Sequence, residues 1–203
     1  MDPADPKSHA LFSPSNLLQD DKLAPGFLIA PPSSADPNFG ETVVLLASHD
    51  DTGATGFIIS RLAGFTLHTL LDDLEIKPTI DDRRILLGGP VSSLSGFVLY
   101  QHAPHDPGYP GFSVSDEVSI SASKDLLESC AHNDVKRFDL IMGCAGWGPD
   151  QLEDELRRGM WLHASYDEEM LFDVDVSQRY DEIYARLGIS PFGFMDVKGG
   201  AQA

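Results

Sequence analysis

The sequence predicts a single α/β (α+β) domain built on a mixed β-sheet, and three observations support that prediction. The 203 residues lie at the upper end of the usual length of one domain. Hydrophobic residues make up 42% of the chain, which is enough to fill a core without disulfides or a structural metal. Strand-like and helix-like segments alternate, but a β-hairpin is embedded among them, which favours a mixed sheet over a doubly wound parallel one.

The hairpin is the clearest local pattern. An apolar strand at residues 42–49 is followed by the turn Asp50-Asp51-Thr52-Gly53 and by a second strand at 54–60. Both strands are nearly continuous apolar runs, so we expect both faces of the sheet to be covered. A short strand at 26–30, ended by Pro31-Pro32, precedes the hairpin.

A leucine-rich helix is predicted after the hairpin. Leu67, Leu70, Leu71 and Leu74 follow helical spacing and therefore share one face. Thr66 is the expected N-cap, because its hydroxyl can accept a hydrogen bond from a free backbone N–H of the first turn.

Two strands and a glycine-rich connection are predicted next. The strands cover 84–87 and 96–101, and the segment 88–95 joins them. A Pro/Gly loop is expected at 104–111, followed by a short strand at 118–120.

The helices of the second half are predicted from their end signals. Ser123 is the expected N-cap of the first helix. Pro149 suits the first position of the second helix, which Gly159 ends. Asp175 begins the last helix, with Gln178 three residues later as its capping-box partner.

The ends of the chain differ in composition from its centre. Residues 1–21 are rich in Pro, Ser and Asp without periodicity, which predicts a flexible N-terminal arm. The predicted domain covers 22–190, and 191–203 form a C-terminal tail.

The charge balance limits the partners that the protein can have. The chain has 32 acidic and 14 basic residues, which gives a formal net charge of −18. Binding to duplex nucleic acid requires a basic surface that displaces counterions, and docking on an anionic membrane has a similar requirement. We therefore expect no direct nucleic-acid partner and no membrane contact, and we interpret the acidity as a source of solubility.

The compartment is predicted from features that the sequence lacks. Cys130 and Cys144 form no C-x-x-C pattern. The first residues have neither the basic region nor the apolar run of a signal peptide. No apolar run approaches the ~18 residues that a spanning helix needs. These observations predict a cytoplasmic protein with two free thiols.

A glycine-rich segment between a strand and a helix is the first candidate site. The strand at 138–142 runs into the candidate residues, which are Gly143, Cys144, Gly146, Trp147 and Gly148. Free N–H groups at a helix N-terminus can bind phosphate, but the spacing G-x-x-G-x-G matches neither the dinucleotide fingerprint nor the P-loop. Acidic residues in the next turns would repel a phosphate, so a tight structural turn is the preferred interpretation.

The second candidate is the Gly88-Gly89-Pro90 turn. It follows a strand but opens no evident helix, so a turn with positive φ is favoured over a phosphate cradle.

Cys144 could be a nucleophile activated by a helix terminus. Neighbouring carboxylates oppose its ionisation, and a buried small side chain is favoured instead.

No recognisable catalytic set or metal site is present in the sequence. It contains no G-x-S-x-G and no H-E-x-x-H. His102 and His105 lie in a proline-rich loop, and His49 adjoins a solvated turn. We therefore expect no catalytic residues, no metal and no cofactor.

Three ordered motifs resemble the bacterial YqgE/AlgH family. The first runs from Leu28 to Ile59, the second is Leu87-Gly88-Gly89-Pro90-Val91 followed by Gly96-Phe97-Val98-Leu99, and the third runs from Gly143 to Glu153 with Trp161-Leu162. The sequence departs from the family pattern at Ser60-Arg61-Leu62, where Asn-Lys-Pro is common, and at Cys144, where an aromatic residue is common. The resemblance implies a curved mixed sheet flanked by helices. It implies no established activity, although some members are labelled transcriptional regulators.

Three functional hypotheses follow from the sequence. The leading one is a non-catalytic binding or regulatory protein that acts through an unknown protein or small-molecule partner. The alternative is an enzyme whose site joins the two glycine-rich turns at 88–90 and 143–148. Direct DNA binding is disfavoured by the charge.

Overall fold

A computed structural model of the chain describes residues 23–102 and 108–189. The predicted N-terminal arm, the C-terminal tail and the first part of the Pro/Gly loop lie outside these residues. The described residues form ten strands, β1 (Gly26–Ile29), β2 (Val43–Asp50), β3 (Gly53–Ile58), β4 (Leu62–Thr66), β5 (Arg84–Leu87), β6 (Val91–Gln101), β7 (Gly111–Ser113), β8 (Val118–Ser121), β9 (Phe138–Trp147) and β10 (Leu162–Ser165). They also form five helices, α1 (Leu67–Asp73), α2 (Lys124–Ala131), α3 (Gln151–Arg157), α4 (Glu169–Phe172) and α5 (Arg179–Arg186).

The strands form one open sheet in a single domain. The main order is β10-β1-β2-β3-β9-β6-β8-β7, and β5 pairs with β9 and with β4. The neighbours along the main path are antiparallel, whereas β5 and β9 run parallel. The predicted mixed sheet is therefore confirmed.

The hairpin of β2 and β3 has the predicted form. Asp50 pairs with Gly53 across the turn, and the Asp50 carboxylate accepts hydrogen bonds from the backbone N–H and hydroxyl of Thr52. Residues on opposite faces of β2 are buried in different clusters, Val43 and Leu45 in one and Val44 and Leu46 in another. Coverage of both faces explains why these strands read as continuous apolar runs.

The sheet is strongly curved, as the family resemblance implies. Phe57 on β3 and Phe112 on β7 are separated by three intervening strands, which in a flat sheet would place them about 19 Å apart. Their ring centroids are 6.0 Å apart, and Phe57 also contacts Phe97 at 5.1 Å. The sheet therefore wraps around a central core cluster to which β1, β2, β3, β6, β8 and β9 all contribute.

The helices cover the remaining surfaces of the sheet. Helices α1 and α2 pack over one outer part through residues such as Leu71 and Leu126. Helix α3 packs over the other outer part through Leu152 and Leu156. Helices α4 and α5 join the central cluster, to which Tyr184 contributes. The prediction of flanking helices is thus confirmed.

Two strands are longer than the sequence predicts. The segment 143–148, interpreted as a tight turn, continues β9 as far as Trp147, and the connection 88–95 already belongs to β6 from Val91 onward. The reason is pairing with strands distant in sequence: Gly146 of β9 pairs with β3, and Cys144 pairs with Val91. Glycine has a low strand propensity, so this pairing cannot be predicted from the local sequence.

Two predicted helix starts are wrong, whereas other end signals are confirmed. Helix α3 begins after Asp150 rather than at Pro149. Helix α5 follows Gln178, because residues 175–178 form a separate turn in which the Asp175 carboxylate binds Ser177. The Ser123 hydroxyl caps α2 as predicted.

Helix α1 matches its prediction in part. Thr66 occupies the N-cap position without a capping side-chain hydrogen bond. Leu67 and Leu71 are buried, but Leu74 is exposed at the C-cap. The predicted leucine face is therefore only partly a core face.

Candidate functional site

A cleft of about 560 Å³ opens on the face of the sheet that carries α3. One wall is the loop after β1, which contributes Pro31, Ala35 and Phe39. The opposite wall is formed by the end of β9, by α3 and by the residues before β10. We call this feature the α3 cleft.

Three aromatic rings pack together beneath the α3 cleft. Trp147 and Trp161 meet edge to face with centroids 5.9 Å apart. Phe39 meets Trp161 edge to face at 5.4 Å and Trp147 at 6.4 Å. Each tryptophan is 6% exposed and Phe39 is half-buried, so the rings form a largely buried floor.

A single carboxylate binds both tryptophans. Oε2 of Glu155 accepts hydrogen bonds of 2.8 Å from Nε1 of Trp147 and from Nε1 of Trp161. Oε1 of Glu155 accepts a third, also of 2.8 Å, from Nε2 of Gln151. The side-chain oxygen of Gln151 in turn accepts from the backbone N–H of Gly148 at 3.0 Å. The carboxylate is therefore fixed in position by neutral donors.

Helix α3 presents this carboxylate because of its spacing. Leu152 is buried and Leu156 packs against the same outer cluster, so the helix lies on the sheet through these i and i+4 positions. Gln151 and Glu155 also stand four residues apart, one position earlier around the helix, and face the cleft.

The facing loop is held by backbone contacts. The Asp36 carboxylate accepts hydrogen bonds from the backbone N–H groups of Asn38 and Phe39, an arrangement typical of an Asx turn. The guanidinium of Arg61 donates to the carbonyls of Asn38 at 2.7 Å and Gly40 at 2.9 Å. Arg61, which departs from the family pattern, therefore positions the loop that carries Phe39.

Among the residues that the structure describes, the two charged side chains that line the α3 cleft are both acidic. They are Asp36 on the loop wall and Glu155 on the helix wall. Two further acidic residues, Glu153 and Asp154, lie in the first turn of α3. Anions are therefore disfavoured at this end of the molecule.

The predicted site residues fall into two groups. Gly146 and Trp147 line the α3 cleft, and Gly148 anchors Gln151 at its rim. Gly88, Gly89 and Gly143 are buried instead, while Pro90 is exposed beside them.

The two glycine-rich segments do meet, through direct backbone packing. A Cβ on Gly88 would lie 2.4 Å from the carbonyl oxygen of Gly143, and one on Gly89 would lie 2.3 Å from that of Cys144. Gly89 has φ +149°, which agrees with the positive φ predicted for the turn at 88–90, and Gly143 has φ +73°. We call this contact the glycine crossing.

Cys144 lies away from the α3 cleft. It is half-buried and packs against the central core cluster, whereas its neighbours Ala145 and Trp147 belong to the outer cluster beneath the cleft. Burial raises the pKa of its thiol, which opposes formation of a reactive thiolate. The expectation of a buried small side chain is thus met only in part.

The histidines considered as metal ligands have other partners. Nε2 of His49 lies 2.7 Å from Oε1 of Glu153, and Nε2 of His102 lies 2.8 Å from the Ser119 hydroxyl. His105 lies outside the described residues. Within residues 23–102 and 108–189, no three His, Cys, Asp or Glu side chains are grouped so that they could hold a metal ion.

Three residues of the site were missed by reasoning from the sequence. Phe39 and Trp161 contribute only to the family resemblance, and Glu155 is one acidic residue among many. The available signal was the pair Gln151 and Glu155 at helical spacing directly after Trp147. This spacing identifies Glu155 as a site residue only when Trp161 is also known to lie beside Glu155 in the fold.

The fold and the cleft together define a single-domain α/β protein with a ligand-sized surface cleft. Residues 27–192 match the family described as AlgH-like. A UPF0301 protein from Anaeromyxobacter dehalogenans (strain 2CP-C) is 34% identical over 189 residues, 89% of this chain and 96% of the relative. A UPF0301 protein from Desulforapulum autotrophicum is 37% identical over 179 residues, 86% and 94% of the two chains. The chain therefore belongs to the AlgH-like family.

Solved structures agree with this assignment. The solution structure of the AlgH protein from Pseudomonas aeruginosa matches with a TM-score of 0.68 and 31% identity, over 99% of this chain and 100% of that one. A crystal structure of a Corynebacterium diphtheriae protein matches with a TM-score of 0.63 over 82% and 88% of the chains, but its 19% identity supports the fold alone. The family consists of uncharacterised proteins without an established enzymatic function. Among the residues that the structure describes, no helix has the length and apolar character needed to cross a membrane.

Proposed function

We propose that this protein is a non-catalytic binding protein of the cytoplasm, which holds its ligand in the α3 cleft and acts through that binding. The observation that carries the proposal is the carboxylate of Glu155, fixed by two indole N–H groups at the edge of a preformed cleft. Ligand sites are typically preformed clefts of about 300–1,000 Å³ with apolar walls and a few fixed polar groups. The α3 cleft has this composition.

The chemistry of the lining supports binding rather than catalysis. The described residues that line the cleft include two serines, Ser33 and Ser34, but no histidine, lysine or cysteine. A serine nucleophile needs an adjacent base. Of the candidate residues, Gly146 and Trp147 are proposed as parts of the binding site, and the glycine crossing is proposed as a structural contact.

Direct contact with nucleic acid is not part of the proposal. Several arginines are already engaged within the protein: Arg61 with backbone carbonyls, Arg137 with Asp173 and Arg157 with Asp154. With a net charge of −18, little basic surface remains to displace counterions. A gel shift at low salt should give no complex, and a retarded DNA band would contradict this part of the proposal.

A thermal-shift screen with metabolites tests the proposed function. A ligand that binds only the folded protein raises its Tm. The screen uses the wild type and Ala35→Trp, which adds a bulky ring to the exposed wall of the cleft. Leu94→Trp is the matched control, because Leu94 is 94% exposed and lies outside the cleft.

We expect at least one compound to raise the Tm of the wild type and of Leu94→Trp but not of Ala35→Trp. A screen without any stabilising compound would contradict the proposal. Equal stabilisation of both variants would show that the ligand binds elsewhere.

A further inference from the structure

The Glu155 carboxylate takes part in none of the ion pairs that the structure describes, so no cationic side chain of these residues neutralises it. Its three hydrogen-bond donors are the indoles of Trp147 and Trp161 and the amide of Gln151, all of them neutral. A carboxylate offers about four lone-pair positions, so one remains after these three contacts. Neutral donors fix the direction of the carboxylate without compensating its charge.

The surroundings of the cleft reinforce that charge. Asp36 carries a second carboxylate on the facing wall, and its Oδ1 is fixed by two backbone N–H groups. Clefts lined by one sign of charge focus the electrostatic potential and concentrate ligands of the opposite sign. The α3 cleft therefore attracts a cation.

The remaining walls select for an apolar body next to the cationic group. Phe39 and Pro31 are half-buried on the loop side, and Met160 is 50% exposed on the opposite side. Side chains of this kind lose water-exposed apolar area when they cover an alkyl or aromatic group. A small inorganic cation would leave these walls unused.

We propose that the α3 cleft binds a small organic cation, an amine or guanidine attached to an apolar or aromatic body. The ammonium or guanidinium group binds Glu155, and the apolar body lies against Phe39, Pro31 and Met160. This inference rests on the proposed binding function and adds the chemical class of the ligand.

Three matched compounds test the class directly on the full-length wild type. They are 2-phenylethylamine as the cation, 2-phenylethanol as the neutral analogue and 3-phenylpropanoate as the anion. The chain has two tryptophans, and both indole N–H groups bind Glu155. Nitrogen-15 NMR therefore follows the site through two indole peaks alone.

We expect the amine to move both indole peaks with saturation, and the alcohol and the anion to bind at least roughly tenfold more weakly, because a charge-assisted contact is lost or reversed. Binding of the amine should weaken as salt is added, since screening reduces its attraction to the cleft. These measurements need no variant. Equal binding of the alcohol and the amine would overturn the inference, as would the absence of any indole shift with the amine.

Glu155→Gln tests the residue itself. The amide oxygen of glutamine can still accept from both indoles, so the aromatic floor of the cleft is retained, whereas the charge and the hydrogen bond from Gln151 are lost. We expect roughly tenfold weaker binding of 2-phenylethylamine. The control is Glu128→Gln on α2, which removes the same charge from a helix over a different core cluster and should change the affinity less than about twofold.

The outcomes separate this inference from the proposed function. A neutral or anionic compound that stabilises the wild type but not Ala35→Trp would keep the binding function and overturn the cationic ligand. Binding of a lysine- or arginine-containing peptide without binding of the small amine would overturn it in favour of a partner protein. Binding of the amine that Glu155→Gln leaves unchanged would also overturn it.

Discussion

At the scale of single residues, the glycine crossing depends on the absence of side chains. Gly143 has φ +73°, and a Cβ there would lie 2.5 Å from the carbonyl oxygen of Gly89. Gly159 has a similar φ of +68°, but a Cβ there would meet nothing within 4 Å. The two positions therefore separate the cost of backbone strain from the cost of steric overlap.

We predict that Gly143→Ala destabilises the protein far more than Gly159→Ala does. The left-handed conformation alone costs roughly 1–2 kcal/mol for a residue with a Cβ. Overlap in a packed region typically adds about 1–3 kcal/mol. Urea unfolding of both variants measures the difference. Equal losses would show that the crossing can relax, and a Gly143→Ala chain that fails to fold while Gly159→Ala folds would agree with the prediction.

This contact also shows where the sequence stops being informative. The sequence singles out the glycines at 88, 89 and 143, and the positive φ predicted for the turn at 88–90 is found at Gly89. Their mutual contact depends on β5 and β6 lying beside β9, which no local pattern encodes. Glu155 has its indole partners only eight residues before it and six after it, but no helical or strand spacing predicts that one carboxylate contacts both.

At the scale of elements, β10 lies at one edge of the sheet formed by the described strands, and its attachment to β1 includes a histidine. His163 on β10 pairs with Leu28 on β1, and its Nε2 lies 2.9 Å from the carbonyl oxygen of Leu23. Nε2 therefore donates to that carbonyl. Burial lowers the pKa of His163, and the Leu23 contact opposes that shift only in part.

We predict that His163 makes the protein less stable in mild acid. Because its pKa is lower in the folded state, the unfolded chain binds the proton first as the pH falls below about 6.5. Stability is thus lost between that pH and the lower folded pKa, and no further loss from this group occurs below it.

Unfolding of the wild type and of His163→Gln in parallel across this range measures the effect. The glutamine variant should show a shallower loss of stability than the wild type does. Identical pH dependence in the two proteins would contradict the assignment of the effect to His163.

Strands and helices differ in how far their limits could be predicted. The hairpin is predicted well because its two apolar runs and the turn between them are local signals. Helix α5 begins later than predicted because the Asp175 carboxylate accepts hydrogen bonds from Ser177 within a separate turn and does not cap the helix. Strand β9 is longer than predicted because Gly143 and Gly146 resemble a turn, whereas pairing of Gly146 with β3 and of Cys144 with β6 continues the strand.

At the scale of the whole molecule, one buried arginine ties the C-terminal helices to the sheet. Arg179 is 3% exposed. Its guanidinium donates to the carbonyl oxygens of Ile59 at 2.8 Å, Leu171 at 2.5 Å and Val174 at 3.1 Å, and to the carboxylate of Asp139 at 3.3 Å. Ile59 directly follows β3, and Asp139 belongs to β9. Leu171 lies in α4, and Val174 follows that helix.

We predict that Arg179→Met costs roughly 3–5 kcal/mol, because it leaves the half-buried carboxylate of Asp139 and three carbonyl oxygens without their donor. Arg179→Lys should recover only part of this loss, since an ammonium cannot reproduce the planar fork of donors. Guanidinium unfolding provides the measurement.

The matched control for Arg179 lies on the same helix. Arg186 contacts three carboxylates, those of Asp167, Glu169 and Glu182, but at the surface. Exposed ion pairs contribute about 0–1 kcal/mol, so Arg186→Met should be mild. Comparable losses at positions 179 and 186 would contradict the role assigned to Arg179.

The pairing of β1 with β10 also has a consequence for the order of events during synthesis. The N-terminal strands β1, β2 and β3 leave the ribosome first, but two of their neighbours, β9 and β10, lie far along the chain. At roughly 5–20 residues per second, this three-stranded unit has both of its outer edges, β1 and β3, unpaired for several seconds. Such edges invite association with other chains, so nascent chains are expected to depend on chaperones until β10 has been made.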